Sequence, residues 1–404
     1  MPPTKSLILV CVPLWPTPDD VLPFFKARLA GKDLPPQKPR DAASLDVKDE
    51  RLEYEVKYYP TPNEKGDGKA PTEEEWKRCQ VLVCLQIPEC LESTKQVPNL
   101  RLVQLSSAGV GHVESTAFAS GIHVVPISEH GKSSFRNCYA TSPPRLTRRM
   151  LTSSLGPKTH HAGSECRNLG MEVSRRVPPL LNRHTHADHR RLTVFLYSGH
   201  IARETARMAQ ALGMRVTCAT RTGHATPIGG YLLPHTGDPD GQIPEKWYTT
   251  TRADSLAEFY ATADVVVNSL PSTEETKGFV GERAFRDMRD DAVFVNIGRG
   301  DTVDQDIMIQ ALEAGLQSSS HDDATAKPNG NLKISAASLD VTSPEPLPPT
   351  NKLWRLPNVL LTPHMSGGSE LYWYRVTDLA SINVRRVLKE GLGGLNAVRG
   401  KGEE

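Results

Sequence analysis

A chain of 404 residues is too long for one ordinary domain, and two domains are expected. Its 48 Lys and Arg residues nearly balance its 47 Asp and Glu residues, so the overall charge favours neither a nucleic-acid nor a membrane partner. No apolar stretch approaches the roughly 18 residues of a membrane span, and the seven cysteines form no C-x-x-C pair. We therefore expect a cytoplasmic protein with reduced thiols and no metal site.

Short apolar runs alternate with amphipathic helical stretches from the first residues onward, which is the pattern of parallel α/β architecture. In the first 130 residues this pattern predicts strands at 6–13, 55–59, 81–87, 100–106 and 123–127. Helices are predicted between them, at 19–30, 72–79 and 113–120. Exposed loops rich in Pro, Gly, Lys and Asp are predicted at 33–52 and 61–71.

Residues 132–191 interrupt the alternation. They contain 12 Lys and Arg against 3 Asp and Glu, and they show no sustained period of two or 3.6 residues. Two interpretations stay open: a divergent interdomain linker, or a shifted reading frame or mis-assigned exon over about 132–198. The histidines of HTHADH (184–189) lack a supporting acidic shell, and the basic residues lack interleaved aromatics, so neither a metal site nor nucleic-acid binding is predicted.

A second alternating block begins near residue 192. Its predicted strands are 192–198, 215–220, 264–269, 292–297, 334–339 and 359–362, and its predicted helices are 201–212, 256–263, 282–289 and 304–316. Six strands with intervening helices predict a Rossmann-type sheet. The polar stretch 317–333 is interpreted as a surface insertion, and an amphipathic helix at 370–389 could return to the first block. The predicted fold class is therefore α/β, with two Rossmann-like or flavodoxin-like domains built on parallel sheets.

Three ionisable residues follow predicted strands of the second block. Arg299 lies in VFVNIGRGDTVDQD, Glu345 in ASLDVTSPEPLP and His364 in NVLLTPHMSGGS. Ligand sites in open parallel sheets lie beyond the carboxyl ends of the strands, so the three side chains could converge. A histidine can exchange a proton near neutral pH, an arginine fork matches a carboxylate, and a carboxylate beside the histidine favours its charged form. These are the tasks that the interconversion of a 2-keto acid and a 2-hydroxy acid requires.

Over about 75–130 and 199–390 the chain resembles the D-isomer-specific 2-hydroxyacid dehydrogenases, the family of phosphoglycerate dehydrogenase, glyoxylate/hydroxypyruvate reductase and formate dehydrogenase. The resemblance implies that Arg299 binds the substrate carboxylate and carbonyl, that Glu345 is the partner of His364, and that His364 is the acid/base. In LRLVQLSSAGVGHVE it implies a substrate loop whose backbone amides bind the carboxylate, around Ala108, Gly109 and Val110. It also implies a homodimer that acts on a small 2-keto or 2-hydroxy acid, such as glyoxylate or hydroxypyruvate.

The same resemblance implies NAD or NADP as the cofactor. Asp340 is expected to hold the nicotinamide carboxamide. The other expected cofactor contacts are Gly199, His200, Ile201, Arg221, Leu270, Pro271, Thr276, Ile297 and Gly298. The stretch VTCATRTGH has no acid for the ribose hydroxyls and places Arg221 where it could meet a 2′-phosphate, which favours NADP; a solvated loop arginine is the alternative.

These assignments predict three regions. Residues 1–130, completed by 367–404, form the substrate-binding domain, residues 131–191 form a basic interdomain segment, and residues 192–366 form the NAD(P)-binding domain.

The phosphate-binding turn departs from the family. In FLYSGHIARETARMAQALGM the three glycine positions become Tyr197, Gly199 and Ala202. A tyrosine at the first position would cost about 1–3 kcal/mol if it were held in a glycine conformation. Two hypotheses follow: a dehydrogenase acting on 2-hydroxy acids, or a non-catalytic relative, such as a corepressor-like binding protein or an inactive product, with an impaired cofactor loop.

Overall fold

A computed structural model describes residues 5–12, 18–34, 53–60, 70–107, 113, 118, 122–125, 192–196, 199–225, 231, 236–317, 331–367 and 371–394. The chain forms two compact units. The first contains the N-terminal elements, the short segment Gly230–Leu233 and the C-terminal helix. The second contains the long sheet of the C-terminal half.

The first unit is built on a parallel sheet with strand order β2-β1-β3-β4-β5. The strands are β1 (Ser6–Cys11), β2 (Tyr54–Tyr58), β3 (Cys79–Cys84), β4 (Leu102–Leu105) and β5 (His123–Val125). The helices are α1 (Pro18–Leu29), α2 (Glu73–Arg78) and, from the C-terminal end of the chain, α7 (Tyr372–Leu388). The central strands are almost wholly apolar because both of their faces are buried.

The C-terminal helix α7 belongs to the core of this first unit. Tyr374 meets Phe24 of α1 edge to face, with ring centroids 5.3 Å apart. A buried amide pair joins α7 to the sheet, since Asn383 Nδ2 donates to Gln104 Oε1 at 2.8 Å. The predicted return of the last helix to the N-terminal block is confirmed.

The second unit has a seven-stranded parallel sheet with the order β12-β11-β10-β9-β6-β7-β8. Its strands are β6 (Leu192–Leu196), β7 (Arg215–Thr220), β8 (Lys246–Thr249), β9 (Val265–Asn268), β10 (Val293–Asn296), β11 (Ala336–Leu339) and β12 (Val359–Leu361). Its helices are α3 (His200–Ala211), α4 (Ala253–Ala261), α5 (Glu282–Asp287) and α6 (Gln305–Gln317). The chain runs outward in one direction from β6 to β8 and in the other from β9 to β12. The junction of β6 and β9 is therefore a topological switch point, where ligands of such sheets bind.

The sheet has one strand more than the six predicted. Strand β8, with the sequence KWYT, lies at the edge and pairs only with β7 among the described strands. Tyr248 is its one buried residue, so the apolar pattern is too short to predict a strand.

Several predictions concern residues that the structure does not describe. These are the segment 132–191 with its histidine cluster, the substrate loop at Ala108–Val110, residues Tyr197 and Ser198, and most of the insertion at 317–333. Within the described residues no helix is both long enough and apolar enough to cross a membrane.

Candidate active site

Glu345 and His364 form the central hydrogen-bonded pair of the site. His364 Nδ1 lies 3.0 Å from Glu345 Oε2. A carboxylate only accepts hydrogen bonds, so Nδ1 carries the proton and Nε2 is left as the atom that can exchange one. The other carboxylate oxygen, Oε1, accepts a hydrogen bond from the Thr342 backbone N–H at 3.1 Å. The side chains remain 35% and 38% exposed, so the pair is open to a small ligand.

The His364 backbone has an unusual conformation that its surroundings support. Its φ is +47°, in the left-handed region that few residues other than glycine adopt. Its N–H donates to the Asp340 carbonyl at 2.9 Å. This contact ties the turn after β12 to the end of β11, where Asp340 lies.

The buried carboxylate of Asp340 holds the turn that carries His364. Oδ1 accepts hydrogen bonds from Thr362 Oγ1 at 2.7 Å and from the Met365 N–H at 3.0 Å, and Oδ2 accepts one from the Ser366 N–H at 3.0 Å. Asp340 itself is 1% exposed. Anchoring of this turn is a role that the sequence reasoning missed, although an aspartate closing an apolar strand was the available signal.

Arg299 lies in a turn between two glycines, which allow the backbone of the turn to approach the ends of neighbouring strands closely. A Cβ on Gly298 would lie 2.6 Å from the Leu270 carbonyl oxygen. A Cβ on Gly300 would overlap the carbonyl of Thr342, the residue whose N–H donates to Glu345. The Gly-Arg-Gly sequence is therefore required by close approach of backbone to backbone. It brings the Arg299 turn against the segments that carry Leu270 and Glu345.

The expected cofactor contacts lie at the carboxyl ends of β6, β7, β9, β10 and β11. Gly199 is the N-cap of α3, and His200 and Ile201, both buried, begin that helix. Arg221 is exposed just beyond β7. Leu270 and Pro271 are buried after β9, and Thr276 Oγ1 donates to the Pro271 carbonyl at 2.6 Å, which braces this loop. Ile297 and Gly298 are buried after β10.

The N-terminus of α3 has the properties of an anion site. The helix is the first element after β6. Its N-cap, Gly199, provides no side-chain hydrogen bond, and its first turn contains no acidic residue. The helix is 12 residues long, so its dipole favours negative charge at this end. The described residues contain no cluster of His, Cys, Asp and Glu that could hold a metal ion.

Much of the second unit resembles a known protein family. Residues 182–366 match the family model described as D-isomer specific 2-hydroxyacid dehydrogenase, NAD binding domain, and this range contains Arg299, Asp340, Glu345 and His364. The segment that holds these residues is therefore similar to the NAD binding domain of the D-isomer specific 2-hydroxyacid dehydrogenases.

Among similar proteins, the glyoxylate reductase/hydroxypyruvate reductase of Homo sapiens is 36% identical over 140 residues, which is 35% of this chain and 36% of that protein. The D-3-phosphoglycerate dehydrogenase of Archaeoglobus fulgidus is 33% identical over 132 residues, which is 33% of this chain and 20% of that one. The aligned region thus spans about a third or less of the length of these relatives.

Solved structures of similar fold cover nearly the whole chain. A D-isomer specific 2-hydroxyacid dehydrogenase from Xanthobacter autotrophicus in complex with NADPH matches 98% of each chain at 20% identity, with a TM-score of 0.62. An NADPH-dependent glyoxylate/hydroxypyruvate reductase from Sinorhizobium meliloti in complex with NADP and sulfate matches 96% of each chain at 19% identity, with a TM-score of 0.58. The predicted fold class, with two α/β units on parallel sheets, is confirmed.

Proposed function

We propose that this protein is an NAD(P)-dependent oxidoreductase that interconverts a small 2-keto acid and the corresponding D-2-hydroxy acid. The observation that carries the proposal is the 3.0 Å pairing of His364 Nδ1 with Glu345 Oε2 at the carboxyl end of the second unit's sheet. The pair leaves Nε2 of an accessible histidine to exchange a proton with a substrate oxygen. An Arg299 turn packed against the same segment supplies the cation that a 2-keto acid requires.

Each catalytic residue has a distinct task in this proposal. Arg299 binds the substrate carboxylate through its planar fork and polarises the carbonyl. His364 donates a proton to the carbonyl oxygen during reduction and removes it during oxidation. Glu345 holds the imidazole ring in place through the hydrogen bond at Nδ1. The backbone amides around Ala108, Gly109 and Val110 are proposed as a second carboxylate contact.

The described residues fit a nicotinamide dinucleotide. The uncapped N-terminus of α3 at Gly199, His200 and Ile201 would bind the pyrophosphate. The loops holding Leu270, Pro271, Thr276, Ile297 and Gly298 would line the nicotinamide side, with Asp340 near the carboxamide. When bound, the cofactor supplies or accepts the hydride. Because Arg221 is exposed beyond β7 and β7 ends in Thr220 rather than an acid, we favour NADP over NAD.

Glyoxylate or hydroxypyruvate is the proposed substrate, since two relatives with these substrates in their names are 34% and 36% identical to this chain over 139 and 140 residues. The protein is proposed to work in the cytoplasm as a homodimer. The described cysteines, Cys11, Cys79, Cys84, Cys90 and Cys218, are all free thiols, as a reducing compartment would keep them. The proposed domains are 1–130 with 367–404 for the substrate and 192–366 for NAD(P), separated by 131–191.

A non-catalytic relative is the second candidate, favoured by Tyr197 at the first position of the phosphate-binding turn. Two measurements on the purified full chain separate the candidates. NADPH and NADH consumption is followed with glyoxylate and with hydroxypyruvate, and NADPH binding is titrated by its fluorescence. We expect turnover with at least one keto acid and a preference for NADPH. Tight NADPH binding without turnover would favour the binding protein, and absence of both would show that the cofactor loop is defective.

A further inference from the structure

Two asparagines close neighbouring strands of the second unit at the same level. Asn268 ends β9, Asn296 ends β10, and the two are direct register partners in the parallel ladder. Both are buried, at 0% and 1% exposure, and Thr302 beside them is also at 0%. Buried amides and hydroxyls are costly unless they are hydrogen-bonded, so their partners define what they do.

The backbone fixes the orientation of both amides. Asn268 Oδ1 accepts from the Leu270 N–H at 3.2 Å, and Asn296 Oδ1 accepts from the Gly298 N–H at 3.1 Å. An amide nitrogen cannot accept at either position, so neither side chain can be flipped. Asn268 Nδ2 then donates to Asn296 Oδ1 at 3.0 Å and to Thr302 Oγ1 at 2.8 Å, which uses both of its N–H groups.

The network converges on the backbone of Arg299. The Arg299 carbonyl accepts two hydrogen bonds, from Asn296 Nδ2 at 3.0 Å and from Thr302 Oγ1 at 2.7 Å. The Gly298 N–H, one residue earlier, is held by Asn296 Oδ1. The chain is therefore restrained on both sides of Arg299 by buried groups, and Arg299 Nη1 donates to the Gly298 carbonyl of the same turn at 3.0 Å.

We propose that Asn268, Asn296 and Thr302 are positioning residues that aim Arg299 at the substrate carboxylate. The inference rests on the proposed function, because it assigns these residues to the same keto-acid site. None of the three needs to touch substrate or cofactor. They act by keeping the Arg299 peptide in one place, and a displacement of about 1 Å at such a group costs up to about a hundredfold in rate.

Thr302 gives the sharpest test. Thr302→Val replaces the hydroxyl with a methyl group, whereas Thr302→Ser retains the hydroxyl. We expect Thr302→Val to lower kcat/KM for the keto acid by between about tenfold and a hundredfold, mainly through KM. The Kd for NADPH should stay within about twofold, and Thr302→Ser should recover most of the loss. Equal kcat/KM in the two variants overturns the inference. If Thr302→Val fails to fold, Thr302→Ala removes the same hydroxyl without placing a methyl group against the Arg299 carbonyl.

A double-mutant cycle with Arg299→Lys separates positioning from a general structural effect. If Thr302 acts through the guanidinium, Thr302→Val should cost much less in the Arg299→Lys background than in the wild type. Full additivity of the two losses overturns the inference.

Amide hydrogen exchange over 297–301 gives a readout that does not need activity. We expect faster exchange in Thr302→Val than in Thr302→Ser. If the wild-type chain reduces no keto acid, the proposed function fails. Equal exchange in the two variants would overturn the positioning inference, whether or not the chain reduces a keto acid.

Discussion

The Asp340 carboxylate accepts a hydrogen bond from the Ser366 backbone N–H at 3.0 Å, although the two residues belong to different strand-to-loop connections. This hydrogen bond and those from Thr362 and Met365 fix the turn around His364 to the end of β11. The position of the proposed acid/base therefore depends on a buried carboxylate that lies 24 residues earlier in the chain.

Asp340→Asn should loosen this turn. In the variant, the amide oxygen can still accept from Thr362 and Met365 in place of Oδ1. The amide nitrogen then replaces Oδ2 and lies opposite the Ser366 N–H, so that two hydrogen-bond donors face each other. We expect a loss of about 1–3 kcal/mol in the free energy of unfolding together with lower kcat. Urea denaturation and steady-state kinetics measure the two effects, with the exposed Asp304→Asn as the control. Unchanged stability and kcat would show that the turn does not need the carboxylate, and a change confined to NADPH affinity would assign Asp340 to the cofactor alone.

His364→Ala should reduce kcat by at least about a hundredfold, the usual contribution of a positioned acid/base. The reason is that His364 Nε2 is the atom proposed to exchange a proton with the substrate oxygen, since Nδ1 is held by Glu345. Single-turnover reduction of hydroxypyruvate at saturating NADPH measures the effect on the chemical step. His123→Ala, at the start of β5, is the matched control. Near-full activity of the His364 variant would remove this residue from the mechanism.

Arg221→Ser should weaken NADPH binding by about tenfold, equivalent to about 1.4 kcal/mol, and leave NADH binding nearly unchanged. The arginine is exposed beyond β7, where a 2′-phosphate would lie in a sheet of this type. Fluorescence titration with each cofactor tests the selectivity. Arg215→Ser, at the opposite end of the same strand, should change neither Kd. Equal weakening of both cofactors by Arg221→Ser would mean that the side chain supports the loop and does not read the phosphate.

Gly300→Ala should be strongly destabilising, by several kcal/mol, because the added methyl overlaps the Thr342 backbone and neither segment can move without disturbing its strand. Gly281→Ala is the control. A Cβ there would meet only the Gly278 carbonyl at 3.2 Å, so the expected cost is about 1 kcal/mol or less. Thermal unfolding of both variants gives the comparison. Equal melting temperatures would show that the turn at Arg299 is not packed as described.

Glu75 provides a pH-dependent contribution to stability in the first unit. Burial alone would raise the pKa of this carboxyl, but hydrogen bonds from Lys57, the Thr72 backbone and Tyr59 lower it to about 2. Because the folded pKa lies below the unfolded value of about 4.3, the stabilisation is present above that value and is lost as the pH falls towards 2.

Glu75→Gln should therefore destabilise the first unit by on the order of 2 kcal/mol at neutral pH, and the difference from wild type should shrink between about pH 4.5 and pH 2. Urea unfolding of both proteins across this range measures it. The exposed Glu74→Gln should show no such trend. A difference that stays constant with pH would exclude the ionised carboxylate as its source.

The sequence was sufficient for the architecture wherever burial imposed a long apolar run, as in β1, β3 and β9. It failed at β8, because an edge strand buries one residue, Tyr248, and leaves its other side chains partly exposed. The alternation of strands and helices predicted a Rossmann-type sheet for the second unit, and the structure supplies the strand order.

For the site, the strand-end positions predicted that Glu345 and His364 could converge, and the family resemblance implied that they are partners. The geometry shows their contact directly. Nothing in the sequence indicated the asparagine network. VVVN and VFVN end β9 and β10 in the same way, but a polar residue at a strand end is more often a turn former. Only the parallel register places Asn268 opposite Asn296 and close to the Arg299 carbonyl.

The strand order of the second unit separates the residues proposed to bind the adenosine half of the cofactor from those proposed to bind the keto acid. The two sets come from different continuous stretches of the chain. Everything expected to contact the adenosine half of a dinucleotide comes from 199–221, on one side of the junction of β6 and β9. Arg299, Glu345 and His364 follow β10, β11 and β12, which lie together on the other side. Coenzyme preference could therefore be changed by replacing the single segment 199–221, without altering any residue proposed to contact the keto acid.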